Sequence, residues 1–213
     1  MLLTSKDLAE TPKIRRLNII NAITGIKPAN LIGTISPDSK TNLAIISNVV
    51  HIGSNPAHMG YISRPKRQTL NNIRKSGFFT INHVHESFIE QAHYTSAKFE
   101  SGVSEFEQCA LSEEYIDNFP VPFVKESLVK TGLKLKEIIP IKSNETWLVI
   151  GQILLLQIPD KTLADNGYID MEKLGGIGVS GLNNYYRLKK IKSMPYARTN
   201  ELPKFKKQQT KTS

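Results

Sequence analysis

One cysteine, Cys109, stands in 213 residues, so neither an intrachain disulfide framework nor a cysteine-based zinc site can be built from this chain. No stretch approaches the roughly 18 apolar residues of a membrane span, and Met1-Leu2-Leu3-Thr4-Ser5-Lys6-Asp7 lacks the apolar run of a signal peptide. A cytoplasmic protein is expected. Nucleophile elbow, Walker loop and persuasive catalytic triad are all missing, so any hard chemistry should belong to a cofactor.

Charge of one sign is also scarce over most of the chain. The net charge is +9, but Arg187 to Ser213 holds nine basic residues and one acid, Glu201, which gives +8 there and leaves +1 for residues 1–186. A charge gathered in a terminal tail reads as a solvated extension more readily than as a nucleic-acid-binding face. The segment from about Thr199 onward is rich in Lys and Gln with little to bury, and disorder is expected for 199–213. Residues 1–198 are read as one domain.

What is present is mostly strand-like. Thr11-Pro12 followed by Ile14, Leu17, Ile20 and Ile23, with Gly25 beyond, predicts an amphipathic helix. Asn30 to Ser36 and Thr41 to Val50, separated by Pro37-Asp38-Ser39-Lys40, predict a hairpin. A strand is expected at His58 to Ser63, a helix over Thr69 to Ser76 stopped by Gly77, and a strand over Phe78 to Val84. Lys125 to Ile141 and Thr146 to Ile158 predict a second hairpin. Hairpins with short helices between them favour a mainly β antiparallel barrel with accessory helices over a doubly wound sheet.

Several segments could carry chemistry. Ser63-Arg64-Pro65-Lys66-Arg67-Gln68-Thr69 puts a hydroxyl and cations between a strand end and a helix start, where free N–H groups and the helix dipole favour an anion such as phosphate. Pro65 biases Arg64 toward extended backbone, and Thr69 is a candidate helix cap. A solvated basic loop is the other reading. Ser47-Asn48 ends an apolar strand and suits the edge of a heteroaromatic ring, or a simple turn. Thr95-Ser96-Ala97-Lys98-Phe99 and Val103-Ser104-Glu105-Phe106 read either as site segments or as helix caps with their packing residues.

Gly176-Ile177-Gly178-Val179-Ser180-Gly181 matches a dinucleotide-binding glycine pattern but lacks a preceding buried strand and room for a βαβ unit, so it is rejected. His83, His85 and His93 invite a metal reading, yet no carboxylate with ligand spacing accompanies them. Core or surface histidines are equally open, and no metal is expected.

Taken in order, the chain resembles the flavin-reductase-like domain family, the FMN-binding split barrels that include flavoredoxins. The resemblance runs through Ile26-Lys27-Pro28-Ala29-Asn30, Ile32-Gly33-Thr34-Ile35, Asn42-Leu43-Ala44, Ser47-Asn48, Ser54-Asn55-Pro56, Thr69-Leu70-Asn71-Asn72-Ile73, Gly77 to His83, Thr95-Ser96-Ala97, Ser104-Glu105-Phe106, and Val179-Ser180-Gly181 with Tyr185-Tyr186. It covers roughly residues 20–190.

The resemblance implies a six-stranded antiparallel split β-barrel, a homodimer, and FMN near the subunit interface. Ser47 and Asn48 would border the isoalloxazine. Ser63, Arg64, Lys66 and Thr69 would surround the phosphate, with Asn82, His83, Ser96 and Ala97 nearby. Asn82 and His83 are adjacent in a strand and should point to opposite faces. The histidine-rich stretch from His83 to His93 departs from the family pattern. The activity implied is an NAD(P)H oxidoreductase in which hydride passes to flavin N5 and on to an acceptor, with no single catalytic side chain identified. A non-catalytic FMN carrier and a nucleic-acid-binding barrel are the competing readings. Tyr185-Tyr186, Phe119 and Phe123, expected outside the barrel strands, are candidates for burial against a partner subunit.

Overall fold

A computed structural model describes residues 1–100 and 102–205 of the chain. Two helices come first, α1 (Ser5–Glu10) and α2 (Lys13–Ala22). The strands and helices that follow are β1 (Lys27–Pro28), β2 (Asn30–Ile35), β3 (Thr41–Ile46), β4 (Val49–Ser54), β5 (Ala57–Ser63), α3 (Gln68–Ser76) and β6 (Phe78–His83). Beyond them lie α4 (Ile89–Tyr94), α5 (Glu105–Gln108), β7 (Glu113–Glu114), β8 (Phe123–Val124), β9 (Lys130–Ile141), β10 (Thr146–Gln157), β11 (Ile177–Ser180) and β12 (Asn184–Arg187).

The main sheet runs β3-β2-β6-β9-β10-β5-β4, antiparallel throughout. Its two outermost strands, β3 and β4, are consecutive in the chain and separated only by Ser47-Asn48. The sheet must therefore curl until its ends meet. Counted as one bent strand, Thr41–Ser54 makes this a barrel of six. The sequence predicts an unbroken strand to Val50; the bend arises because the Asn48 side chain bonds both backbone groups of Ile62 in β5. Its amide donates to the Ile62 carbonyl at 3.1 Å and its oxygen accepts from the Ile62 N–H at 3.2 Å. One side chain thus replaces the ladder partner that the bend removes.

Alternation along β2 sorts the core. Ile32 points into the barrel with Tyr61, Leu70, Ile73, Phe79, Ile81, Leu133 and Val149, whereas Leu31 packs outside it with Leu43, Val84, Phe88, Ala92 and Phe106 beneath α4 and α5. Gly151 of β10 admits the Phe79 ring, since a Cβ there would stand 2.7 Å from its Cζ. α3 ends at Gly77 with φ 75°, the left-handed conformation its sequence position predicts.

Three further expectations change. The strand expected from Lys125 begins at Lys130, because Ser127 turns the chain and donates to the His83 carbonyl at 2.7 Å. α2 forms after Pro12, but Ile14, Ile20 and Ile23 are 68%, 44% and 71% exposed, because the barrel closes its own core without the helix. Phe119 and Phe123 are buried within their own chain with Val121, and so offer nothing to a partner, whereas Tyr185 and Tyr186 stand outside the barrel strands as expected, in β12 of the β1-β11-β12 sheet. The glycine pattern at 176–181 forms strand β11, paired to β1 and β12, with no helix after it. Residues 191–205 are exposed and include a short turn of 3₁₀ helix at Thr199–Glu201; the rest of the tail expected to be disordered, 206–213, lies outside the described residues.

Candidate functional site

The barrel's bend, the end of β5 and the start of α3 meet at one cavity of about 290 Å³. β3 supplies one wall with Asn42, Ala44, Ile45 and Ile46, and Tyr61, Ile62 and Ser63 of β5 supply the other. Arg64, Arg67, Gln68 and Thr69 close one end, and Thr95, Ser96 and Ala97 form the opposite rim.

At the arginine end, α3 begins without a side-chain cap, Arg67 being the residue at its N-cap. The Asn71 N–H is the first to bond within the helix, to the Arg67 carbonyl at 3.1 Å. Helix geometry therefore leaves the amides of Gln68, Thr69 and Leu70 without intrahelical partners. Three free donors, a positive helix end and two guanidinium groups converge, and that set suits a phosphate group. Thr69 is not the cap expected of it; it lies one residue inside the helix, buried, where its hydroxyl accepts from the Asn42 amide at 3.2 Å.

The rim is held to β3 by side chains that satisfy the strand's outer edge. The Ile45 N–H donates to the Thr95 hydroxyl at 3.0 Å, and the Leu43 N–H donates to Glu105 Oε2 at 2.9 Å. Burial pushes the Glu105 carboxyl above its usual range, against the opposing Leu43 hydrogen bond. Glu105 lies at the cavity wall but its oxygen is committed to the strand. Tyr61 is buried with its ring edge-on to Phe79, and among the described residues its hydroxyl makes no well-formed hydrogen bond; burial raises its pKa against the opposing influence of the nearby Ser63 hydroxyl.

Of the residues singled out from sequence, Ser63, Arg64, Thr69, Ser96 and Ala97 line this cavity. Ser47 lines a second, adjoining cavity of about 510 Å³, together with Leu17, Ile45, Ile46, Arg64, Arg67, His93, Ser96 and residues of β11, β12 and the turn between them. The other four are placed elsewhere. Asn48 is spent on Ile62. Lys66 is exposed at a turn position with φ 59°. Asn82 is fully buried and fastens strands together, donating to the Leu31 carbonyl and the Thr80 hydroxyl and accepting from the Val124 N–H at 3.0 Å. His83 lies by Val84, Leu128, Val129 and Leu174, away from the cavity, with its pKa pushed down by burial.

Arg67 and Gln68 belong to the site although the sequence reading selected neither as a site residue. Their signal was position, at the last residue before the helix and its first. Among the described residues no cluster of His, Cys, Asp and Glu could hold a metal, and no helix is long and apolar enough to cross a membrane.

The sequence pattern of the flavin reductase like domain matches residues 26–172. The chain belongs to that family. An uncharacterized protein of Aquifex aeolicus (strain VF5) is 30% identical over 166 residues, spanning 75% of this chain and 83% of the relative. A crystal structure of flavin-reductase type with a split barrel domain, from Shewanella frigidimarina NCIMB 400, superimposes with TM-score 0.90 at 42% identity, covering 92% of this chain and all (100%) of the other. Flavoredoxin of Desulfovibrio vulgaris (Miyazaki F) shares the fold at TM-score 0.72 and 21% identity, over 81% of this chain and 92% of its own. The mainly β, antiparallel split barrel of this flavin-reductase-like chain is thus that of its structural neighbours.

Proposed function

We propose that this flavin-reductase-like chain binds FMN in the first cavity and acts as an oxidoreductase, passing electrons from NAD(P)H through the flavin to an acceptor. The observation that carries the reading is the uncapped start of α3 beside Arg64 and Arg67, a phosphate-type donor set at one end of a cavity with an apolar wall. Arg64, Arg67 and the amides of 68–70 would hold the phosphate, and Ser63 and Thr69 would flank it. Ala44, Ile45 and Ile46 offer the apolar surface a planar ring needs, with Ser96 and Ala97 at its edge. When bound, the flavin would supply the two-electron chemistry, and the chain's own part is to bind, orient and exclude water.

We further take the protein to be a cytoplasmic homodimer. The exposed Ile14 and Ile20 of α2 and Ile23 at its end support self-association, and the single buried, free Cys109 suits a reducing compartment.

The test is titration of purified protein with FMN and with riboflavin, followed by anaerobic addition of NADH or NADPH while the flavin's visible absorbance is read. Tight FMN binding and bleaching by either nucleotide are expected. Binding without bleaching would leave a carrier rather than an enzyme, and failure to prefer FMN over riboflavin would remove the phosphate reading.

A further inference from the structure

The second cavity shares Ile45, Ile46, Arg64, Arg67 and Ser96 with the first, so the two chambers meet along one seam. Away from the seam, its walls are apolar at Leu17, Val179 and Leu182, and polar at Ser47, Asn183 and the paired side chains of His93 and Tyr185. The Tyr185 oxygen lies 2.9 Å from His93 Nδ1, with the two rings edge-on at 5.8 Å between centroids. These residues come from α4 and β12, ninety-two positions apart in sequence, and Tyr185 packs against the outer core. The hydroxyl is therefore held in place rather than free to swing.

Its hydrogen-bond chemistry follows from the tautomer of the imidazole. When Nδ1 carries the proton it donates to the Tyr185 oxygen, and the phenolic O–H is left to donate elsewhere. The Tyr185 hydroxyl is raised in pKa by burial and stays a neutral donor at physiological pH. The natural partner is a carbonyl oxygen. The cations of this cavity, Arg64 and Arg67, lie on the shared seam, and on the flavin reading they would be engaged by the phosphate of the first chamber, which would leave a charged ligand here no counter-charge.

We propose that the second cavity takes a small neutral aromatic carbonyl compound of the quinone type, its oxygen on the Tyr185 hydroxyl, with His93 as the positioning residue. The proposal rests on the flavin reading of the first cavity, which makes such a compound an electron acceptor. Reduction of a quinone to its hydroquinone needs one hydride equivalent, delivered as the reduced flavin is oxidised, and one proton from solvent, so no further reactant is required. Leu17, Val179 and Leu182 would offer apolar surface to the ring faces.

Acetophenone, which has the ring and the carbonyl but is not a quinone, is the probe. Its binding to flavin-free and FMN-loaded protein is measured by equilibrium dialysis, with ethylbenzene as the partner lacking the oxygen. In wild type, acetophenone should bind the more tightly. Tyr185→Phe should weaken acetophenone about fivefold, the effect of one neutral hydrogen bond, and leave ethylbenzene unchanged. His93→Asn, which keeps a side-chain amide able to reach the phenol, should retain more acetophenone affinity than His93→Ala.

Equal acetophenone binding by wild type and Tyr185→Phe, or its displacement by FMN, would overturn the proposal. FMN titration of the same preparations separates the two readings. Normal FMN binding with no dependence of acetophenone on Tyr185 sinks the carbonyl site alone. A Tyr185-dependent acetophenone site in protein that takes no FMN upholds that site and sinks the flavin reading.

Discussion

Replacing Arg64 and Arg67 by alanine, singly and together, separates recognition of a phosphate from recognition of a flavin ring. Both guanidinium groups border the cavity at the uncapped start of α3, and both are exposed. A charge-assisted hydrogen bond contributes roughly 1.5 to 3 kcal/mol, and solvent exposure places each arginine near the lower end. Each single substitution should then weaken FMN about tenfold, since about 1.4 kcal/mol is one decade. The double variant should lose less than the product, because two cations on one dianion are coupled. Riboflavin, which has no phosphate, should bind all four proteins equally. The assay is quenching of flavin fluorescence at fixed ionic strength, repeated at higher salt, where the wild-type advantage for FMN should shrink. Parallel losses for FMN and riboflavin would mean that the arginines shape the ring pocket or the fold; no loss for either would place the phosphate elsewhere.

Other substitutions test the scaffold. Asn48→Ala removes both bonds to Ile62 at the bend and should lower stability by about 1 to 2 kcal/mol, measured by urea denaturation; an unchanged midpoint would show that the bend holds without them. Tyr61→Phe deletes a buried hydroxyl that makes no well-formed bond among the described residues and should raise the midpoint by an amount corresponding to about 1 kcal/mol, whereas a lower midpoint would reveal a bond made by that hydroxyl, Ser63 being the nearby candidate. His83 has a folded-state pKa below its ordinary value, so the unfolded chain takes up the proton first and stability falls as pH drops through about 6.5. His83→Gln should flatten that part of a stability-versus-pH curve, and a profile identical to wild type would assign the acid sensitivity to other groups. Truncation after Thr199 should leave FMN affinity and thermal midpoint unchanged, and loss of either would show that the tail takes part in the fold or site.

What could be read from sequence was what neighbours in the chain decide. The turn at Pro37 to Lys40, the stop at Gly77 and the start of a helix after the basic loop each depend on a few consecutive residues, and all stand where their chemistry puts them. Ser47-Asn48 read either as a simple turn or as a ring-edge site, and sequence could not choose between them because the deciding partner, Ile62, lies fourteen residues away. Thr95 read equally well as a cap or as a site residue; its role against Ile45 appears only when the end of α4 is brought against β3, fifty residues away in sequence. Asn82 and His83 illustrate the converse. The family resemblance put them near the flavin, but Asn82 satisfies the backbone of neighbouring strands, and a sequence pattern does not distinguish the two uses of an amide.

The outer edge of β3 gives the chain a built-in reporter. Because the Leu43 and Ile45 amides are bonded to Glu105 and Thr95 rather than to another strand, they can exchange with solvent when the 95–105 segment lifts, without the barrel opening. Their neighbours on the β2 side, locked in the ladder, exchange only when strands part. The difference between the two sets of amide exchange rates therefore measures the free energy of uncovering the cavity, separately from that of unfolding. A ligand that sits under the rim should slow Leu43 and Ile45 and leave the ladder amides where they were.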